Sequence, residues 1–186
     1  MSTETPALSA LLGDIDNFLL ALEEGLARHR LQPGLGQMDH ICYRADSNRQ
    51  YLRLRAALLA YGENLVEGMI GGRPIITYAL HSPIASQFGP IPCLELAAPK
   101  PGKQHLTGLE HGELVVEDLH RLLAANPHVP FNTKGLAQSP AELSLALPPY
   151  QVKFHQRSLA EIIAEEKDRG LVVPVPEDYW LADKQR

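Results

Sequence analysis

The sequence predicts an α+β fold in which one structural unit, βαβββ, occurs twice. In each half of the chain a strand and a helix are followed by three short segments in which apolar and polar residues alternate. The two halves keep the same order of elements, roughly 60 to 70 residues apart, and a segment rich in Pro and Gly at 99–108 separates them. We therefore expect eight strands that curl around a shared cleft as one curved mixed sheet.

The first element is an amphipathic helix over 6–30, because its apolar residues recur at helical spacing with acidic residues between them. The segment "LQPGLG" ends this helix, since proline and glycine stop helices. Module one then spans about 38–98. Its elements are the strand "MDHICYR", the helix "SNRQYLRLRAALLAYG" and three strands in "ENLVEGM", "RPIITYALH" and "IPCLELA".

Module two spans about 109–156 and repeats this order. The strand "HGELVVE" and the helix "EDLHRLLAAN", which Pro127 stops, are followed by strands in "FNTKGLA", "AELSLALP" and "YQVKFHQ". Residues 157–186 are expected to form a short C-terminal helix and an irregular tail. The whole of 1–186 is expected to be a single domain.

The composition excludes several classes of protein. The 186 residues are 45% hydrophobic and 21% charged, with a net charge of −5 and no cluster of Lys and Arg, so we expect no nucleic-acid partner. No apolar run approaches the roughly 20 residues of a membrane span, and the N-terminus lacks the pattern of a signal peptide. Only two cysteines are present, without a CxxC motif. We therefore expect a cytoplasmic protein, monomeric or homodimeric, whose partner is a small molecule and not a membrane.

Four residues on the polar faces of the strands form a candidate metal site. His40 and His111 lie on the first strands of the two modules, and Glu95 and His155 lie on the last strands. If a pseudo-twofold axis relates the modules, these four side chains converge near it. Imidazole nitrogen and carboxylate oxygen are suitable ligands for Zn²⁺, Fe²⁺, Ni²⁺, Co²⁺ or Mn²⁺. The sequence therefore predicts one divalent metal ion in the cleft.

Five motifs in combination resemble the bacterial YecM family, over roughly residues 8–165. They are "MDHICYR", "EGMIGGRPI", "LELAAPKPG", "GLEHGELVV" and "VKFHQRSLAEII". That family lies within the vicinal oxygen chelate superfamily, which includes glyoxalase I, extradiol dioxygenases and bleomycin-resistance proteins. The resemblance implies that the paired modules form a metal cup with ligands from the first and last strands.

One departure from the superfamily pattern concerns the final strand. Glyoxalases usually carry a glutamate there, whereas this chain has His155, with Lys153 two residues earlier on the same face. A register shift of two residues would put Lys153 in the ligand position and leave three protein ligands.

The resemblance implies a metal-dependent enzyme of lyase, isomerase or dioxygenase type. In a lyase or isomerase the ion acts as a Lewis acid, and Glu95 or Glu113 is the candidate catalytic base. In a dioxygenase His40, His111 and Glu95 form a ligand set of two histidines and one carboxylate. The alternative is a non-catalytic small-molecule-binding protein that keeps the cup without metal chemistry. An interaction module that uses the N-terminal helix has no specific support in the sequence.

Three cations are candidate substrate-binding residues. Arg44 and Lys153 lie on the predicted cleft face, and Arg73 lies near its rim. Because arginine holds a carboxylate through two parallel hydrogen bonds, we expect a small oxygen-rich anion, such as a hydroxy- or oxo-acid, with its carboxylate against Arg44. Acidic residues of the same face are the alternative partners of these cations.

Two further properties follow for the metal site. Glu110 and Glu113 are candidates to orient the imidazoles of the ligands, or else are solvated. Because imidazole must be neutral to bind a metal, the affinity is expected to fall below a pH of about 6.5.

Overall fold

The computed structural model describes residues 7–181, which form five α-helices and seven β-strands. The helices are α1 (Ser9–Leu12), α2 (Ile15–Arg28), α3 (Asn48–Ala57), α4 (Leu119–Ala125) and α5 (Leu159–Asp168). The strands are β1 (Gln37–Arg44), β2 (Gly62–Ile70), β3 (Arg73–Ile84), β4 (Ile91–Ala97), β5 (Gly108–Val115), β6 (Leu143–Leu147) and β7 (Tyr150–His155). None of the helices within 7–181 is both long and apolar enough to cross a lipid bilayer.

All seven strands join one mixed sheet in the order β2-β3-β4-β1-β5-β7-β6. β1 and β5 run antiparallel at its centre, β4 lies parallel to β1, and β7 lies parallel to β5. The first and last strands of each half are therefore neighbours, and the two halves meet along β1 and β5. The predicted α+β fold is confirmed.

The second half has three strands where the sequence predicted four, so the expected total of eight strands is wrong for the described part of the chain. The segment "FNTKGLA" forms an isolated bridge between Asn132 and Ser144 and then a 3-10 turn at Lys134–Ala137. The Asn132 side chain accepts a hydrogen bond from the Lys134 amide at 3.0 Å. Such a bond offers the backbone an alternative to strand pairing, so the chain turns after a single bridge.

The N-terminal helix predicted over 6–30 is two helices, α1 and α2, and residue 6 lies outside the described part of the chain. Gly13 breaks the helix with a φ of 91°, a conformation that favours glycine. The Asp14 side chain then accepts a hydrogen bond from the Asn17 amide at 2.9 Å and caps α2. Apolar spacing does not reveal this break, because Leu12 and Ile15 on either side of it are both buried.

The two faces of the sheet differ as the alternation predicts. Leu94, Leu114 and Phe154 have no exposed surface and belong to the apolar core, to which α2, α3 and α4 also contribute. Glu95 and His111, on the other face, line a cavity of about 690 Å³. The predicted assignment of these residues to the two faces is therefore confirmed, and the volume is within the usual range for small-molecule sites.

The C-terminal helix and the chain that follows it form a wall of this cavity. α5 begins with a capping box in which Ser158 and Glu161 exchange hydrogen bonds. Further on, the Val173 carbonyl accepts a hydrogen bond from the Met69 amide at 2.8 Å, which attaches the chain to β2. The cavity is thus bounded by the sheet on one side and by α5 and residues 171–173 on another.

Candidate metal centre

Three strands bring possible metal ligands together, two of them at the cavity wall and one fully buried. β1 supplies His40, β4 supplies Glu95 and β5 supplies His111. Each offers one ligand atom, and the three atoms lie within 4.8 Å of one another. Bonds of about 2.0–2.2 Å to one ion would place such atoms roughly 3–4 Å apart. Small side-chain rotations are therefore enough for all three to bind the same ion.

The imidazoles of His40 and His111 have no hydrogen-bond partner at Nε2, and both Nε2 atoms are buried. Glu113 Oε1 lies 3.4 Å from Nε2 of His40 and 3.6 Å from Nε2 of His111, but neither contact has the geometry of a hydrogen bond. A buried polar atom without a partner costs about 1–3 kcal/mol. Two such atoms beside one carboxylate mark a candidate position for a cation.

Each of these imidazoles is oriented by the acidic residue that precedes it in sequence. His40 Nδ1 donates a hydrogen bond to Asp39 Oδ2 at 3.0 Å, and His111 Nδ1 lies 3.4 Å from Glu110 Oε1. In a neutral imidazole, a carboxylate at Nδ1 holds the proton there and leaves the lone pair on Nε2 for a metal ion. Glu110 therefore has the orienting position considered for it from the sequence.

Asp39 is a site residue that sequence reasoning missed, because strict alternation assigns it to the apolar face. A β-bulge between Met38 and His40 interrupts the alternation in β1. The Asp39 carboxylate also accepts a hydrogen bond from the Leu159 amide at 2.8 Å, at the first residue of α5. The signal that would have found Asp39 is the acidic residue directly before each histidine, in "DH" and "EH".

The charges at this centre stabilise one another. Burial would lower the pKa of His40, but the charge of Glu113 and the hydrogen bond to Asp39 raise that pKa well above 6.5. Burial would raise the pKa of Glu113, but the charge of His40 and the contact with His111 hold it well below 4.5. Without a metal these shifts favour a protonated His40 beside a negatively charged Glu113, and a divalent cation would compete with the proton of His40.

A second group of possible ligands lies beside the first. Glu113, Glu142 and His155 offer atoms that lie within 4.8 Å of one another. His155 Nε2 lies 3.1 Å from Glu113 Oε2 and 3.1 Å from Glu142 Oε1. The structure thus places His155 with these two carboxylates, and Glu113 connects the two groups.

The strand pairing shows which residues of the two halves correspond. His40 on β1 pairs with Cys93 on β4, and Glu95 lies two residues after Cys93. His111 on β5 pairs with Gln151 on β7, and Lys153 lies two residues after Gln151. Glu95 therefore corresponds to Lys153. The expectation that His155 is the counterpart of Glu95 is wrong by two residues, which is the register shift that the sequence left open.

The three predicted substrate-binding cations line the same cavity. Arg44 is 7% exposed, and its Nε donates a hydrogen bond to Glu110 Oε2. Arg73 Nη1 donates to the Ile70 carbonyl at 2.9 Å. Lys153 is half-buried and forms an ion pair with a carboxylate of the second group. These cations therefore share one cavity with the candidate ligands Glu95, His111 and His155.

Comparison with known proteins agrees with this architecture. Residues 7–166 match the model of the YecM protein family. The chain is 28% identical over 177 residues to Protein YecM of Escherichia coli (strain K12), which covers 86% of this chain and 94% of the relative. A solved structure described as "Structural Genomics, Protein EC4020" has a TM-score of 0.74 and 27% identity, over 89% of this chain and 100% of that chain.

A more distant similarity is to Streptomyces coelicolor methylmalonyl-CoA epimerase (Q60A) in complex with 2-nitronate-propionyl-CoA. Its TM-score is 0.46 at 14% identity, over 64% of this chain and 96% of that chain. The two halves of the sheet agree with the paired modules expected from the sequence. Because the family match extends over most of the chain, the protein belongs to the YecM family.

Proposed function

We propose that the protein is a divalent-metal-dependent enzyme that acts on a small oxygen-rich anion by lyase, isomerase or dioxygenase chemistry. The observation that carries this proposal is the pair of buried, unpartnered Nε2 atoms of His40 and His111. Glu95 Oε2 lies 3.9 Å from Nε2 of His40. Two imidazoles and one carboxylate form a ligand set that suits Zn²⁺, Fe²⁺, Ni²⁺, Co²⁺ or Mn²⁺.

Three protein ligands would leave positions for two neighbouring oxygens of a substrate. The bound ion would supply Lewis-acid polarisation of those oxygens or, in the case of iron, activation of O₂. His155 is the candidate fourth ligand, and its contact with Glu142 would have to break for that role. The substrate anion would lie near Arg44, with Arg73 and Lys153 as further cations of the same cavity.

Glu113 is the better candidate for the catalytic base. Glu95 is occupied as a ligand in this arrangement, whereas Glu113 is near the ion without being required to bind it. Glu113 Oε1 lies 3.4 Å from Nε2 of His40 and 3.6 Å from Nε2 of His111, so this carboxylate borders the proposed position of the ion. From there Glu113 would be able to accept a proton from a substrate carbon or hydroxyl.

Calorimetric titration of the chelator-treated protein tests the metal site. With Zn²⁺, Ni²⁺ and Fe²⁺ under anaerobic conditions we expect one ion per chain, and His111→Ala should bind much more weakly. His120→Ala, on the exposed side of α4, is the matched control and should bind as the parent does. A parent protein that binds none of these ions, or a His111→Ala variant that binds as tightly as the parent, would contradict the proposal.

Asp39→Asn is expected to weaken Zn²⁺ binding by about 10- to 100-fold, as is typical when the hydrogen bond behind a ligating histidine is altered. Asparagine keeps an acceptor for the Leu159 amide but removes the negative charge beside His40 Nδ1. Competition with a chromophoric chelator measures the affinity, and Asp16→Asn on the exposed side of α2 is the control. Equal affinities in the two variants would show that Asp39 does not support the ligand.

A non-catalytic small-molecule-binding protein is the second candidate. The observation that favours it is Lys153, which stands where the other half of the sheet has Glu95 and so removes one carboxylate from the cup. Binding of small anions by a parent protein that takes up no divalent ion would support this candidate over the enzyme.

A further inference from the structure

Three positively charged side chains gather in one part of the cavity. Arg44, Arg73 and Lys100 all line it. A methyl group added at Gly71 would lie 2.8 Å from Arg73 Nη1 and 3.6 Å from Lys100 Nζ. The head groups of Arg73 and Lys100 therefore both border the tight turn between β2 and β3.

These cations are incompletely neutralised by the protein. Within residues 7–181, Glu110 is the only carboxylate within 4.0 Å of any of their charged nitrogens, and it contacts Arg44. Arg44 Nη1 and Arg73 Nε are buried and have no hydrogen-bond partner. Three positive charges against one carboxylate leave two positive charges without a carboxylate in contact.

The cations also repel one another. The charge of Arg73 is the main cause that lowers the pKa of Lys100. Burial, followed by the charge of Arg44, lowers the pKa of Arg73. Holding like charges together in a partly buried site is unfavourable unless an anion joins them.

We propose that Arg44, Arg73 and Lys100 bind the phosphate group of a phosphomonoester. Near neutral pH such a group carries a charge of about −1.5 to −2, which matches the two unpartnered positive charges. Arginine presents planar donors that fit phosphate oxygens, and the free donors here are Arg44 Nη1 and Arg73 Nε.

This inference rests on the proposed function and narrows its substrate class. The substrate would be a small phosphorylated hydroxy- or oxo-acid whose neighbouring oxygens reach the ion while its phosphate lies between the arginines. A cavity of about 690 Å³ is large enough for such a molecule. A carboxylate in place of the phosphate would leave one positive charge without a partner. Lys153 is outside this phosphate site, because Glu142 already lies 3.5 Å from its Nζ.

Inorganic phosphate and glycerol 3-phosphate are the probes, titrated calorimetrically into chelator-treated protein at constant ionic strength. We expect both to bind the parent protein, and Arg73→Gln and Lys100→Gln each to weaken binding about tenfold through loss of a charged hydrogen bond. Both side chains are partly exposed, so these variants should fold. Arg53→Gln, an exposed arginine on α3, is the matched control and should leave the affinity unchanged.

The outcomes separate this inference from the proposed function. Failure of phosphate to bind, equal affinity in Arg73→Gln and Arg53→Gln, or tighter binding of malonate than of phosphate would overturn the phosphate site even if the ion binds. Phosphate binding that appears only after Zn²⁺ is added would also overturn it, because the phosphate would then be a ligand of the ion. Phosphate binding by a protein that takes up no metal would support the phosphate site and contradict the enzyme.

Discussion

Replacing His40 with alanine is expected to weaken Zn²⁺ binding by more than about 100-fold, whereas His155→Ala should weaken it by about tenfold or less. The first change removes one of the three proposed ligands, His40, Glu95 and His111, so its effect should exceed the roughly 10- to 100-fold typical of a supporting residue. We expect His155 to affect metal binding mainly through Glu113, whose Oε2 lies 3.1 Å from Nε2 of His155. Competition against a chelator of known affinity measures both values.

The comparison of these two variants decides where the ion lies. Their folding is checked by far-UV circular dichroism, and His120→Ala controls for the loss of an exposed histidine. If His155→Ala loses as much affinity as His40→Ala, the ion lies between the two ligand groups and His155 is a ligand. The interpretation of three ligands would then be wrong.

Phe154→Ala is expected to lower the free energy of unfolding by about 3–5 kcal/mol. Phe154 has no exposed surface, and its ring packs edge-to-face against Phe131 with centroids 5.6 Å apart. Such an aromatic pair adds about 0.5–1.5 kcal/mol beyond the burial of area. Urea unfolding followed by circular dichroism measures the change.

The control for this change is Gln151→Ala, on the same strand but on the cavity face. Gln151 is half-buried, and its Nε2 makes one long hydrogen bond of 3.4 Å to Glu110. We expect a loss of about 1 kcal/mol or less, as for a typical hydrogen bond. Equal losses in the two variants would contradict the assignment of Phe154 to the core and Gln151 to the cavity.

The alternation of apolar and polar residues along the strands predicted which face of the sheet carries most of the candidate site residues. It separates Leu94 from Glu95 on β4, because side chains that point to opposite faces repeat with a period of two residues. The structure buries Leu94 in the core and leaves Glu95 at the cavity. The positions of His40 and His111 on the two central strands follow from the order of the elements in the same way.

What the sequence could not predict depends on local departures from that period. The β-bulge at Met38–His40 is set by pairing with β5, which lies far along the chain, so it brings Asp39 to His40 against the alternation. The turn at Asn132 depends on one side-chain hydrogen bond that competes with strand pairing. The correspondence of Glu95 with Lys153 requires the ladder register of both halves, which a single sequence does not contain.

The two halves of the sheet meet where β1 pairs with β5, and this arrangement affects the orientation in which a ligand would bind. Two identical chains joined at such a seam would form a symmetric site, and a ligand would fit equally well in two opposite directions. Here the halves differ, because Arg44 on β1 has Val115 as its counterpart on β5. Arg73 also belongs to the first half, and Lys100 lies in the segment that directly follows that half. The two sides of the cavity therefore differ, and an asymmetric molecule would bind in one orientation only. Because the two halves are joined in one chain, each half can carry different side chains, and this difference is what favours one orientation of a bound ligand.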